Sequence, residues 1–252
     1  MIASLGMYDR AETAEANDRL WAGIRDGLRA RDIPAPDALT RGENGYWSAW
    51  NAADLVLSQT CGFPFRAKLH GQVTLIGTPD YGLVGCDPGY YCSVYVARKG
   101  DLRRTLAEFS HARFAYNEAM SQSGWAAPQN HAHALGISFP PSLCSGGHRM
   151  SALAVSQGQA DIAAIDAVTW DLLQQWDPWT TTLREVGRTP QTPGLPYIAA
   201  KGADADATLQ AVHDAIIALS ADDRQTLRLR GIVAIPTAAY LAVPTPIGPQ
   251  EC

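Results

Sequence analysis

Apolar and polar positions along the chain switch between a two-residue and a helical period, and the elements they predict switch with them. Residues 1–5 read as a strand. The stretch 11–31 carries Leu20, Trp21, Ile24 and Leu28 on one helical stripe, and Asp9 and Glu12 supply the acidic residues that suit a helix start. Residues 54–58 and 73–77 read as buried strands, followed by Gln59-Thr60-Cys61-Gly62 and by Thr78-Pro79-Asp80-Tyr81. Residues 90–98 alternate and are β-rich. The pattern then predicts a helix near 101–109, a strand over 113–117 and a helix opening at Ser121. A further helix follows Gly146-Gly147-His148, then a strand over 161–165, a helix over 167–176 and a strand over 182–188. Residues 197–200 read as a strand and 204–220 as a helix with Leu209, Val212, Ile216 and Leu219 on its apolar stripe. A last short helix covers 221–230, and the proline-rich end from 236 to 249 reads as a strap or loose tail.

Alternation of this kind predicts an α/β fold with mostly parallel strands. Two extended segments, about 92–98 and 187–199, bracket a middle block, and the prolines of the second forbid helix. The expected organisation is therefore two-lobed. Residues 1–92 with 188–252 form one discontinuous lobe, and residues 93–187 form the other.

Composition narrows the class. Of 252 residues, 46% are hydrophobic and 18% charged, which excludes disorder. The net charge of −5 gives no general electrostatic footprint for nucleic acid. No apolar run approaches the roughly 20 residues that cross a bilayer. The first residues lack the basic, apolar and small-residue regions of a secretory leader, so the expected location is cytoplasmic if Met1 is the native start. Five cysteines, Cys61, Cys86, Cys92, Cys144 and Cys252, show no CxxC spacing. Partly buried thiols are expected, although Cys86 and Cys92 could close a small loop.

Several residues could carry chemistry. Ser121-Gln122-Ser123-Gly124 opens a helix after a strand, where unpaired N–H groups and two hydroxyls could capture an oxyanion without a fixed cation, or Ser121 could simply cap. His148 stands at another helix start behind two glycines. Asp166 ends an apolar strand, either as a ligand contact at a carboxyl end or as a helix cap, whereas Asp161 at its start reads as a turn residue. Ser58-Gln59-Thr60, Thr78-Pro79-Asp80-Tyr81 and Tyr8 follow buried strands, and their side chains should rim one crevice. Trp47 and Trp50 read as core. His131 and His133 lie two apart in a predicted helix, which points their rings apart and disfavours a metal site. Ser121 or Ser123, His148 and Asp166 have the residue types of a hydrolase triad, but no G-x-S-x-G elbow presents either serine, and no nucleotide fingerprint is present.

Together these residues resemble the phosphate/phosphonate substrate-binding proteins of ABC transporters, within the type II periplasmic-binding-protein superfamily. The resemblance runs from Met1 to about Gly231. It rests on the Ser-x-Ser-Gly start at 121–124, Gly147-His148, the element Gly158-Gln159-Ala160-Asp161-Ile162-Ala163-Ala164-Ile165-Asp166, and the Pro-Gly-Leu-Pro-Tyr crossover at 193–197. It implies two α/β lobes joined by two hinge strands that close on a ligand. Ser121, Gln122, Ser123 and Gly124 would hold the anion, His148 would add a donor, and Asp166 would accept a proton from the ligand or pair with its amine. Tyr8 matches an aromatic after the first strand, while Thr60 and Tyr81 are assigned by position. Relatives often carry Ser-Thr-Ser-Gly, so Gln122 replaces a hydroxyl here.

The function implied is capture of a phosphonate, phosphite or phosphate-like oxyanion for an ABC-type permease, by a monomer needing neither metal nor cofactor. The resemblance places it in the periplasm. A cytosolic lyase of the chorismate-dehydratase type, or a ligand-sensing domain, is the alternative on the same fold.

Overall fold

A computed structural model describes residues 1–249, apart from the side chains of Glu43 and Asn44. Cys252 lies outside the described residues. The first half of the chain forms β1 (Ile2–Ser4), α1 (Ala14–Arg29), α2 (Trp47–Trp50), β2 (Leu55–Gln59) and α3 (Gly62–Pro64), then β3 (Val73–Asp80), β4 (Tyr90–Tyr91), β5 (Ser93–Arg98) and β6 (Phe114–Tyr116). After a π-helical turn over Gln122–Ala126 come α4 (Ala127–Leu135), β7 (Pro141–Cys144), α5 (His148–Ser156), β8 (Ile162–Asp166) and α6 (Ala167–Trp176). The remainder holds β9 (Leu183–Arg188), β10 (Thr192–Pro193), β11 (Tyr197–Ala200), α7 (Ala205–Ala218), α8 (Ala221–Leu227), β12 (Gly231–Val233) and α9 (Thr237–Leu241).

Two compact units result. Unit 1 is residues 1–90 with 193–241, and unit 2 is residues 91–192 with the chain from Ala242 onward. The chain thus passes from one unit to the other at 90/91, at 192/193 and again at 241/242. The third passage differs from the expected partition, which kept the whole tail with the first lobe. The reason is local hydrogen bonding: the Trp125 indole donates to the Ile247 carbonyl at 3.1 Å and Asn130 Nδ2 to the Pro244 carbonyl at 2.8 Å.

In unit 1 the sheet runs β1-β2-β11-β3-β12. β1 and β2 are parallel, whereas β11 is antiparallel to both β2 and β3, and β12 is antiparallel to β3. Leu20, Trp21, Ile24 and Leu28 of α1 are buried together with Val212 and Ile216 of α7 over one face, as their periodicity predicts. Two glycines let these helices approach closely. A Cβ on Gly23 would lie 3.2 Å from Ala215 Cβ, and one on Gly27 would lie 3.3 Å from Ala211 Cβ. A second cluster unites Trp50, Phe65, Leu69, Ile198 and Tyr240. Trp50 is core, its indole donating to the Gln59 carbonyl at 3.2 Å. Trp47 is half-buried, with the Lys68 ammonium 5.4 Å from its ring centroid.

Unit 2 repeats the theme with the sheet β7-β6-β8-β5-β9. β6 is parallel to β7 and β8, and β5 is antiparallel to β8 and β9. The expectation of mostly parallel strands is therefore corrected to mixed sheets. β5 and β11, the first strands after the 90/91 and 192/193 passages, each run against their neighbours. β8 is buried along its whole length. At its start Asp161 is more than a turn residue, because Arg98 and Arg113 each reach Oδ1, at 3.1 and 2.9 Å. Hydrogen bonds from Arg113 hold that carboxyl well below the ordinary carboxylate range. The helix expected near 101–109 shrinks to a 3₁₀ turn over Leu106–Phe109. Asp101 Oδ1 instead accepts the Arg103 amide at 3.0 Å, a local bond that competes with helix. Cys86 and Cys92 carry thiols and are not bridged to each other.

Candidate ligand-binding site

The clearest cluster of predicted residues lies in unit 2. β6 delivers the chain to Ser121, whose extended backbone (φ −74, ψ 128) makes it the cap of the following turn. Ser121 Oγ accepts the Gly124 amide at 2.9 Å, and its carbonyl accepts both the Trp125 and the Ala126 amides. The amides of Gln122 and Ser123 precede the first of these intrahelical bonds. Gly124 is required by space: a Cβ would collide with Asn117 Oδ1. Trp125 anchors the turn, its ring centroid 5.0 Å from that of Tyr116. Ser93 Oγ on β5 donates to the Ser123 carbonyl at 2.8 Å and fixes the second serine.

Ser123 Oγ lies 2.8 Å from His148 Nε2, so the two motifs read separately in the sequence meet in the fold. His148 opens α5, and its Nδ1 is sealed from solvent toward the backbone of Ala164 on β8. Burial pulls its pKa down to about 4, so the ring is neutral at physiological pH. The polar groups gathered there are accordingly uncharged: two hydroxyls and an imidazole beside the first amides of the turn.

The other predicted residues fall into distinct environments. Gln122 is 1% exposed, with its Nε2 shielded from solvent. Asp166 is 2% exposed, and Oδ1 accepts the Thr169 amide at 3.0 Å, so it caps α6. The triad reading is corrected by the same geometry. The Ser123–His148 pair exists, but the second imidazole nitrogen faces the Ala164 backbone, and a ring with so low a pKa is a poor base at neutral pH. His131 is a packing residue, its Nδ1 3.2 Å from the Tyr95 hydroxyl. Among the described residues no group of His, Cys, Asp or Glu is arranged to hold a metal ion.

In unit 1 the candidates follow the carboxyl ends of β1, β2 and β3, where α/β sheets place ligand contacts. The rings of Tyr8 and Tyr81 meet edge to face with centroids 5.0 Å apart. Gln59 Nε2 donates to the Tyr81 hydroxyl at 3.1 Å and to the Leu195 carbonyl at 3.2 Å, locking that ring. Thr60 is fully buried, and its Oγ1 has no hydrogen-bond partner among the described residues.

Gln59, expected among the residues that rim the crevice, closes β2 and holds Tyr81. Two residues escaped the sequence reading. Tyr46, 39% exposed, donates its hydroxyl to the Gly6 carbonyl at 3.0 Å just beyond β1, a contact no local pattern signals. Glu118 lies between β6 and Ser121, its carbonyl accepting the Ser121 amide at 3.3 Å, and desolvation raises its carboxyl pKa. Its position between a strand end and a serine cap was the available clue.

Comparison with known proteins matches residues 49–239 to the family model for the ABC transporter, phosphonate, periplasmic substrate-binding protein. A search of curated proteins finds no match. Among solved structures, PhnD1 from Prochlorococcus marinus in complex with methylphosphonate superposes with a TM-score of 0.71 at 16% identity, covering 95% of this chain and 94% of that one. A binding protein component of an ABC phosphonate transporter from Pseudomonas aeruginosa gives 0.69 at 17% identity, covering 95% and 83%. MatC from Rhodopseudomonas palustris with bound malate gives 0.61 at 14% identity, covering 94% and 91%.

Proposed function

The chain belongs to the phosphonate-binding family of periplasmic substrate-binding proteins of ABC transporters, and from that premise we propose that its Ser121–Gly124 turn and His148 hold the oxyanion of a phosphonate for delivery to a permease. The observation that carries the reading is the 2.8 Å contact between Ser123 Oγ and His148 Nε2 at the start of a helical turn whose first amides precede its own hydrogen bonds. With the ring proton held on Nδ1 toward the Ala164 backbone, Nε2 accepts the Ser123 hydroxyl and orients it, and that hydroxyl turns its proton to the anion on binding. Ser121 Oγ, which accepts from Gly124, likewise has its proton to give. Neutral donors suit reversible capture, because the anion is stabilised without a salt bridge that must be broken on release.

Asp166 gives the site a second property. A phosphonate monoanion carries a proton on one oxygen, and a carboxylate can accept it, whereas sulfate has no such proton and would be repelled. Asp166 is thus the proposed discriminator, with the alternative task of meeting a ligand amine. Tyr8, Thr60 and Tyr81 are the proposed ligand contacts of unit 1. Capture followed by delivery makes and breaks no covalent bond. Among the described residues no helix is long and apolar enough to cross a membrane.

The test is calorimetric titration of the purified chain with methylphosphonate, phosphite, phosphate, sulfate and malate. Binding of a phosphorus oxyanion, lost in Ser123→Ala and absent for sulfate, is the expected result. Binding of malate alone, or phosphonate affinity unchanged in Ser123→Ala, would overturn it.

A further inference from the structure

The proline-rich end of the chain, read from the sequence as a strap or loose tail, is seated on unit 2. Pro244, Pro246 and Pro249 fix their own φ angles, and each pushes the residue before it, Val243, Thr245 and Gly248, into extended backbone. Such a run favours the polyproline II helix, which has three residues per turn and no internal hydrogen bonds.

The structure carries that period of three in two independent ways. Val243, Pro246 and Pro249 are half-buried, whereas the residues between them are exposed, Ile247 at 93%. The carbonyls that accept from unit 2 belong to Pro244 and Ile247, again three apart. Asn130 Nδ2 donates to the first at 2.8 Å and the Trp125 indole to the second at 3.1 Å. One edge of the extended tail therefore packs, and the next accepts.

The two donors lie on and just beyond the serine turn. Trp125 is 3% exposed, and a buried indole needs a partner for its N–H. Its own amide bonds to the Ser121 carbonyl at 3.3 Å, and its ring meets Tyr116. The tail thus grips the residue that directly follows Gly124.

We propose that Trp125 and Asn130 form a polyproline II dock, that the chain's own tail is its occupant, and that the seated tail holds the Ser121–Ala126 turn in its anion-binding shape. A preformed polyproline helix loses little entropy on docking. Covalent attachment at Leu241, where α9 ends, keeps the tail at high local concentration, so a separate proline-rich peptide competes poorly. The link to anion capture rests on the function proposed above, and the hold on the turn does not.

NMR relaxation and amide exchange on the full, isotope-labelled chain test this, beside an Asn130→Ala/Pro246→Gly double variant that leaves the turn's own residues unchanged. In wild type the heteronuclear NOE values of Thr245 and Ile247 should match those of α4, and in the variant they should fall well below them. Release of the tail should speed exchange of the Trp125 and Ala126 amides, which bond to the Ser121 carbonyl, by roughly tenfold or more. Methylphosphonate affinity should weaken by about fivefold or more. Low NOE values at Thr245 and Ile247 in wild type, or values that the variant leaves unchanged, would overturn the dock. Unchanged exchange at Trp125 and Ala126 after release would overturn the hold on the turn. Unchanged affinity in a variant with faster exchange would overturn the link to anion capture. A wild type that shows both NMR effects but takes no methylphosphonate would sink the phosphonate reading and support the dock by itself.

Discussion

Replacing Ser123 by alanine removes one hydroxyl and leaves His148 facing a void, so an anion held as proposed would lose a donor of the turn. One charge-assisted hydrogen bond contributes about 1.5–3 kcal/mol, so methylphosphonate affinity should fall roughly 10- to 100-fold by titration calorimetry. Gly124→Ala should be as damaging for a different reason: its methyl group would displace Asn117 and distort the turn that presents the amides. His148 makes a pH prediction. Its folded pKa of about 4 lies below the ordinary value of 6.5, so the native state favours the neutral ring. The stability this contributes is complete above pH 6.5 and is lost as pH falls toward 4. The loss amounts to about 3 kcal/mol at most, at 1.36 kcal/mol per pKa unit. Glu118, whose pKa is raised, protonates with the opposite sign as pH falls through the same region. Urea denaturation of wild type and His148→Gln at pH 7 and 4.5 isolates the histidine contribution, and equal pH dependence in the two proteins would refute it. None of this pairing was legible locally, because Ser123 and His148 are 25 residues apart and meet only through the packing of α5 against β8.

At the scale of elements, the contact between α1 and α7 depends on the absence of side chains at Gly23 and Gly27. Gly27→Leu would force the helices apart and should destabilise the protein by about 1–3 kcal/mol, read as a lower Cm in urea with m unchanged. The stripe of Leu20, Trp21, Ile24 and Leu28 was visible in the sequence because helical periodicity is a local property. The partner helix was not, because α7 lies some 180 residues further along the chain. Asp161 shows the converse. One carboxylate holds Arg98 and Arg113, with Arg103 at 3.7 Å, so Asp161→Ala would leave these cations facing one another. Loss of about 2–4 kcal/mol is expected by chemical denaturation, allowing for partial exposure of the cluster. High salt should moderate the loss by screening the arginines.

For the whole molecule, ligand linkage is the governing prediction. A phosphonate at about 100 times its Kd should stabilise the native state by about 2.7 kcal/mol, so the Tm should rise with the logarithm of ligand concentration. In Ser123→Ala the same rise should require 10- to 100-fold more ligand. A shift of equal size at the original concentration would show that the serine turn is not the site.

The sequence by itself determined the α/β class, most of the strands and long helices, and the serine, histidine and aspartate motifs, because periodicity and capping are written in neighbouring residues. It also carried the family, through the Ser-x-Ser-Gly start and the Gly-x-Ala-Asp element taken in order. The tertiary structure decided what depends on residues far apart. It set the antiparallel course of β5 and β11, the return of the tail to unit 2, the neutral state of His148 and the locking of Tyr81 by Gln59. Each of these depends on residues brought together from distant parts of the chain, and contact across such distances is a property of the folded backbone and not of the order of residues.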